Sequence, residues 1–218
     1  MTETRLVPPA PTLLYMFADE VIEGDDWRSQ GTQVPGREAK VKSGKLAPHL
    51  FALAFWQLAS EGVLTLRLEE RKRLGIRTTK VLARLTQPGR PREARLEQML
   101  VDVLADGQER TADDVVYEAL GQDYANPRTV VIGIAERDGL ASGCFVETTP
   151  ERGLVGRLVH GSTDIQPQLD RFPVAREAFD RTMAEWQAFR STQPALADGL
   201  LAKCEKGINR RFESDDDD

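Results

Sequence analysis

Two histidines, two cysteines and a few paired carboxylates are what this chain offers for acid–base, nucleophilic or metal chemistry. In the stretch GLVGRLVHGSTD, His160 precedes Ser162 by two residues and Asp164 by four, an arrangement with the types of a base, a nucleophile and an orienting acid. Polar residues this close together where a chain leaves a hairpin more often face solvent than converge on one substrate atom, so no catalytic residue is assigned. His49 and His160 fall in no H-E-x-x-H or Cys/His pattern, and neither a phosphate-binding P-loop nor a G-x-G-x-x-G sequence occurs. Glu69–Glu70 and Asp113–Asp114 are adjacent in sequence, so in a strand or helix they diverge and read as solvated faces. Cys144 and Cys204 form no C-x-x-C motif and are expected as buried free thiols in a reducing compartment. The expectation is therefore binding rather than catalysis, with no metal and no cofactor.

Charge segregation is the stronger signal. Residues 67–95 hold ten basic and three acidic residues, a local +7 in a chain whose net charge is −6. Clustered cations raise a positive potential that reaches only about 8 Å at physiological salt, so a partner must approach closely. The overall acidity disfavours a protein coated by nucleic acid but leaves a local basic edge available for binding. Arg71, Lys72, Arg73, Arg77 and Lys80 are the candidate anion contacts.

These residues need elements to position them. Pro8, Pro9 and Pro11 predict an extended arm over 1–11, followed by a short helix or strand from Thr12 to Glu23. The stretch GDDWRSQGTQVPGREAKVKSG reads as a polar loop, with Trp27 either packed down as a lid or kept as an interface candidate. From Lys45 to Ser60 the apolar residues leave almost no polar face, which predicts a central helix ended by Gly62. Alternation predicts strands over Val63–Leu68 and Lys80–Leu85, a hairpin behind a helix. Helices follow over Arg92–Ala105, over Thr111–Leu120 with Thr111 as N-cap and Asp114 three residues on, and from Asn126 and Pro127 to a closing Gly139. A second hairpin is expected from Gly143–Val146 and Leu154–Val159, around TTPERG. The wording LASEGVL at 58–64 and IAERDGL at 134–140 hints at one helix-to-wing junction used twice. Val174, Phe179, Met183 and Trp186 mark a helix near 173–190, Pro194 separates it from the next, and ESDDDD reads as a disordered tail.

The expected fold is mainly α (α+β): two winged-helix-like units with β-hairpin wings and a C-terminal helical extension. The boundaries are 1–44 for the arm and loop, 45–91 and 92–161 for the two units, 162–213 for the C-terminal helices and 214–218 for the tail. No leader pattern opens the chain, and the longest apolar run, Leu50–Ala59, is about half of the ~20 residues needed to span a bilayer. A cytoplasmic protein, peripheral at a membrane when bound there, is expected.

A groove-reading helix needs exposed Arg, Lys, Asn or Gln, and neither the 45–60 helix nor PRTVVIGIAERD supplies a row of them. A DNA-binding winged-helix regulator is therefore the alternative to an adaptor, and a subunit-bridging protein, with self-association open, is a third reading. The order TLLYMFADEVIEGD, LAPHLFALAFWQLASEGVLTLRL, RLEQMLVDVLADG, TADDVVYEALG and NPRTVVIGIAERDGL resembles the Golgi phosphoprotein 3 family over roughly residues 12–160. The resemblance implies a mostly helical, non-enzymatic peripheral adaptor that binds phosphatidylinositol 4-phosphate or another anionic lipid. It also places Arg128 where that family carries a lipid-phosphate arginine.

Overall fold

The computed structural model describes residues 8–22, 31–73, 76–87, 92–121, 126–148 and 164–214, and side chains within these except at 71–73, 76–78, 164 and 214. Trp27, the strand expected over 154–159, His160, Ser162 and the acidic tail 215–218 lie outside the described residues. The chain is mainly helical with small antiparallel sheets, an α+β architecture.

Helix α3 (Ser43–Ser60) occupies the centre because its sequence leaves it nowhere else to go. Leu46, Leu50, Phe51, Leu53, Phe55 and Trp56 point round the whole helix and are all buried. Around it pack α1 (Ala10–Met16), α4 (Arg95–Val103), α6 (Pro127–Ala141) and the helix that spans Pro194–Ser214. Helix α1 begins within the expected arm, with Pro11 in its first turn where a missing N–H costs nothing. The four-residue α2 (Ala18–Val21) follows it. Phe17, between them, meets Phe179 and Phe172 at ring distances of 4.7 and 5.3 Å. Those rings belong to α7 (Phe172–Thr192), which also sets Trp186 edge-on to Trp56 of α3 at 5.9 Å. Burying each such ring contributes about 1.5–3 kcal/mol, which anchors α7 to the core.

Among the described residues three small sheets decorate the helices. Within the segment expected as loop, β1 (Thr32–Gln33) pairs with β2 (Lys40–Val41). The long pair is β3 (Leu64–Arg73) with β4 (Ile76–Leu85), and β5 (Arg110–Thr111) adds to β4 at Leu82 and Ala83. Both long strands outrun their apolar alternation, because ladder hydrogen bonds hold polar Thr and Arg positions that periodicity cannot flag. In register, Leu64, Leu66 and Leu68 stand opposite Leu85, Ala83 and Val81 on the core-facing side. Strand β6 (Phe145–Thr148) pairs with β7 (Asp164–Pro167), ten residues later than the partner expected from sequence begins.

The wording IAERDGL at 134–140 does not mark a helix end, but α3 and α6 do end alike, the second four residues beyond the glycine of that wording. Gly139 sits inside α6, and the helix runs on to Ala141. In α3, Val63 N–H donates to the Leu58 carbonyl at 2.9 Å and Gly62 N–H to Ala59 at 3.0 Å; in α6, Cys144 N–H donates to Gly139 at 2.9 Å and Gly143 N–H to Leu140 at 3.1 Å. Gly62 and Gly143 both hold φ +70°, the left-handed turn that this double-bonded helix ending requires. LASEG at 58–62 and GLASG at 139–143 thus end the two helices alike, and each is followed by a strand.

Helix α5 (Ala112–Ala119) starts as expected: Thr111 Oγ1 accepts from Asp114 N–H at 3.4 Å and donates to its Oδ2 at 2.6 Å. The final described helix, α8 (Pro194–Ser214), crosses α5 so closely that a Cβ on Gly207 would lie 2.6 Å from the Asp113 carbonyl oxygen. Two turns earlier Gly199 packs on the β3–β4 pair, 3.1 Å from Val81 by the same measure. Lys206 reaches the buried Asp113 at 2.7 Å, and Arg210 reaches Asp114 at 2.7 Å. Burial opposes the charge on Asp113, but hydrogen bonds from Lys206 and Thr111 prevail and hold its pKa below the usual range.

Candidate functional site: a basic hairpin and an acidic cleft

The +7 segment does not act as one edge. Near the base of the β3–β4 pair, Arg67 clasps Glu109 through Nε and Nη2, each at 2.5 Å. That bidentate bond raises the arginine pKa and lowers the glutamate's. Arg84 donates to the Gly107 carbonyl at 3.2 Å. Arg92 bonds Glu61 and donates to Glu97 at 3.0 Å. Glu109 and Glu61 arrive from other parts of the chain, which local charge counting could not foresee.

The half of the hairpin beyond Leu68 carries the five candidate contacts chosen from sequence. Register pairs Glu69 with Lys80, Glu70 with Thr79, Arg71 with Thr78, Lys72 with Arg77 and Arg73 with Ile76. Residues 69–80 carry five cations and two acids, a net +3. At ~3.3 Å per residue, Arg73 lies about 17 Å along the strand from Leu68. Arg71 and Arg73 share alternate positions with Lys80, while Lys72 and Arg77 occupy the intervening pair.

Arg128 is elsewhere. It stands in the first turn of α6, where Asn126 Oδ1 accepts its backbone N–H at 3.1 Å. Its guanidinium donates to Asn209 Oδ1 at 2.8 Å and lies 5.8 Å from the Phe212 ring, both on α8. It also borders the first turn of α3, 3.5 Å from where a Cβ on Gly44 would be. Ten residues of α8, about 15 Å, separate Asn209 from the contact of Gly199 with the hairpin. The cations chosen from sequence thus divide between the hairpin and a separate arginine packed against α8.

Several groups of catalytic type among the described residues are engaged or buried. His49 Nδ1 is 2.8 Å from the Lys45 carbonyl, and burial lowers its pKa, so the ring is neutral at pH 7. Cys144 and Cys204 are free and buried, and burial pushes both thiols up, away from the reactive thiolate. Tyr15 donates to Glu136 Oε1 at 2.5 Å beside a cleft of about 540 Å³; burial and the nearby carboxylate raise its pKa and keep it a donor. Among the described residues no group of three or more His, Cys, Asp or Glu is placed to hold a metal ion.

A second cleft, of about 690 Å³, has the opposite character to the hairpin. Glu61, Glu93, Glu97 and Asp138 line it with Arg92 as the cation among its lining residues. Asp138 Oδ2 accepts from Arg95 N–H at 2.9 Å, capping α4 from a neighbouring helix. Burial nonetheless raises the Asp138 pKa. Glu97 is 3% exposed, and burial outweighs Arg92 and lifts its pKa to about 7. This cleft was not legible in sequence, since its acids come from three separate stretches, at 61, 93–97 and 138.

Comparison with family models, with curated proteins and with solved structures finds no match for this chain. Among the described residues no helix is long and apolar enough to cross a membrane.

Proposed function

We propose that the protein is a non-catalytic adaptor that docks reversibly on an anionic, phosphoinositide-bearing membrane surface through the distal half of β3–β4. Arg71, Lys72, Arg73, Arg77 and Lys80 are its electrostatic contacts. The observation that carries this reading is the register that gathers these five cations at one end of a hairpin whose base arginines are already engaged. Basic residues close to an anionic leaflet contribute about 1 kcal/mol each, enough together for reversible attachment without a deep lipid pocket. The resemblance to the Golgi phosphoprotein 3 family favours lipid as the partner. In that reading Arg128, at the start of α6 and beside the first turn of α3, is a phosphate ligand after release from Asn209.

The same reading treats α3 with β3–β4, and α4 to α6 with β6–β7, as two winged-helix-like units sharing one kind of helix ending. A DNA-binding role for the wing is the second reading, and the helix before β6 weakens it. Val131, Ile132, Ile134 and Ala135 of α6 are buried and Arg128 is tied to α8, which leaves Arg137 as its exposed arginine. Liposome flotation with neutral and phosphatidylinositol 4-phosphate-containing vesicles, beside a DNA gel shift, separates the readings. Retention by anionic vesicles that an Arg71/Lys72/Arg73→Ala variant loses supports the adaptor. Equal retention of both proteins refutes it, and a salt-sensitive DNA shift lost in the variant promotes the regulator. Silence in both assays points to a protein partner and a cytoplasmic bridging role.

A further inference from the structure

The acidic cleft holds an unanswered acceptor. Most of its polar groups are matched: Gln57 Nε2 donates to Glu61 Oε1 at 3.1 Å, Arg92 bonds Glu61 and Glu97 Oε2, and Arg95 N–H caps onto Asp138. Glu97 Oε1 is the exception, fully buried and without a hydrogen-bond partner among the described residues. A buried carboxylate oxygen that has left water and found no donor is costly, and native proteins keep few of them. Four carboxylates against one arginine give the lining a charge of −3 when all are ionised. The volume of about 690 Å³ falls in the range of small-molecule sites.

We infer that this cleft binds a small organic cation, whose ammonium or guanidinium N–H donates to Glu97 Oε1 while Glu93 and Asp138 complete the negative surround. The chemistry excludes most alternatives. An anion would meet net negative charge, and a neutral amide would satisfy the oxygen but leave the charge uncompensated. A metal ion would need converging ligands, which the described residues do not provide here. A guanidinium or ammonium supplies both donor and charge, either as a free amine such as a polyamine or as the side chain of a basic peptide. The site is independent of the hairpin, which has the opposite sign.

Glu97 must be ionised to accept this ligand, and Arg92, Glu61, Glu93 and Asp138 are the charged groups that face it. With its pKa lifted to about 7, the empty site loses affinity as pH falls through neutrality. Calorimetric titration of the full chain with agmatine and with a Gly-Arg-Gly peptide, against neutral N-propylacetamide, tests the proposal. The expected result is saturable binding of a cationic probe, weaker at pH 6 than at pH 8, absent for the amide, and reduced at least tenfold in Glu97→Gln. Glu185→Gln, exposed on α7 and no part of the cleft lining, should leave the affinity unchanged. Binding of agmatine but not peptide assigns a free amine; the reverse assigns a basic peptide. Carboxyl carbon NMR of Glu97 in the wild-type chain removes any dependence on variant folding: a bound cation must lower its titration midpoint. No saturation by either cation, wild-type affinity in Glu97→Gln, or an unmoved midpoint overturns the inference.

Discussion

The ring of Phe145 lies in the space that a Cβ on Gly139 would occupy, with ring carbons well inside van der Waals contact of that position. Phe145 is fully buried and meets Tyr15 edge-on at 5.9 Å, so it has nowhere to retreat. Gly139→Ala gains about 1 kcal/mol of helix propensity but overpacks the core by about 1–3 kcal/mol. A net loss of up to about 2 kcal/mol is expected by urea denaturation. Phe145→Leu made in the Gly139→Ala chain should cost less than in the wild type, because the smaller side chain relieves the clash. Additive losses would show that the two positions do not compete for space.

Glu97 imposes a pH dependence on stability. Its folded pKa of about 7 lies above the ordinary 4.5, so between those values the native state binds more protons than the unfolded chain. Its contribution is therefore greatest at acid pH, declines as pH rises from 4.5 through 7, and is level above that. The decline amounts to up to about 3 kcal/mol. Urea midpoints from pH 5 to pH 8 should show it in the wild type and lose it in Glu97→Gln. Asp113 acts in a separate window: its depressed pKa makes its stabilisation fade only as pH falls below the ordinary carboxylate range.

Engaged and distal arginines should behave differently on vesicles. Arg67→Ala removes a cation already neutralised by Glu109 and should change retention on anionic liposomes less than twofold. The Arg71/Lys72/Arg73→Ala variant should lose at least tenfold, and wild-type retention should fall steeply between 50 and about 300 mM salt. Equal effects of the two variants would mean that total charge, and not its place on the hairpin, governs binding.

Both thiols should be silent in the folded protein. Cys204 is wholly buried on α8 and Cys144 nearly so, and burial keeps each protonated. A disulfide reagent at pH 8 should label neither within minutes in native buffer and both in denaturant. Rapid native labelling of Cys204 would show that α8 detaches from the core.

The sequence made the helices legible wherever one physical signal was strong: the all-round apolar face of α3, the Thr111 cap of α5 and the Asn126–Pro127 start of α6. It misplaced features that depend on tertiary context. Gly139 looked like a helix terminator because glycine usually serves that role, yet here it makes room for a ring. The distal halves of β3 and β4 carry no apolar alternation, and only backbone pairing extends them to Arg73 and Ile76. The hairpin cations were visible as composition, but which of them Glu109 and Glu61 neutralise was not. The acidic cleft was invisible because Glu61, Glu93, Glu97 and Asp138 converge only after folding.

Helix α8 touches the hairpin at Gly199, α5 at Gly207 and α6 through Asn209, all along one rod of 21 residues. Anything that seizes the hairpin therefore pulls on a strut whose other end holds Arg128. Mechanical strain at the tip has a direct route into the body of the molecule, and amides along this rod should exchange with solvent in concert with those of the strands it braces.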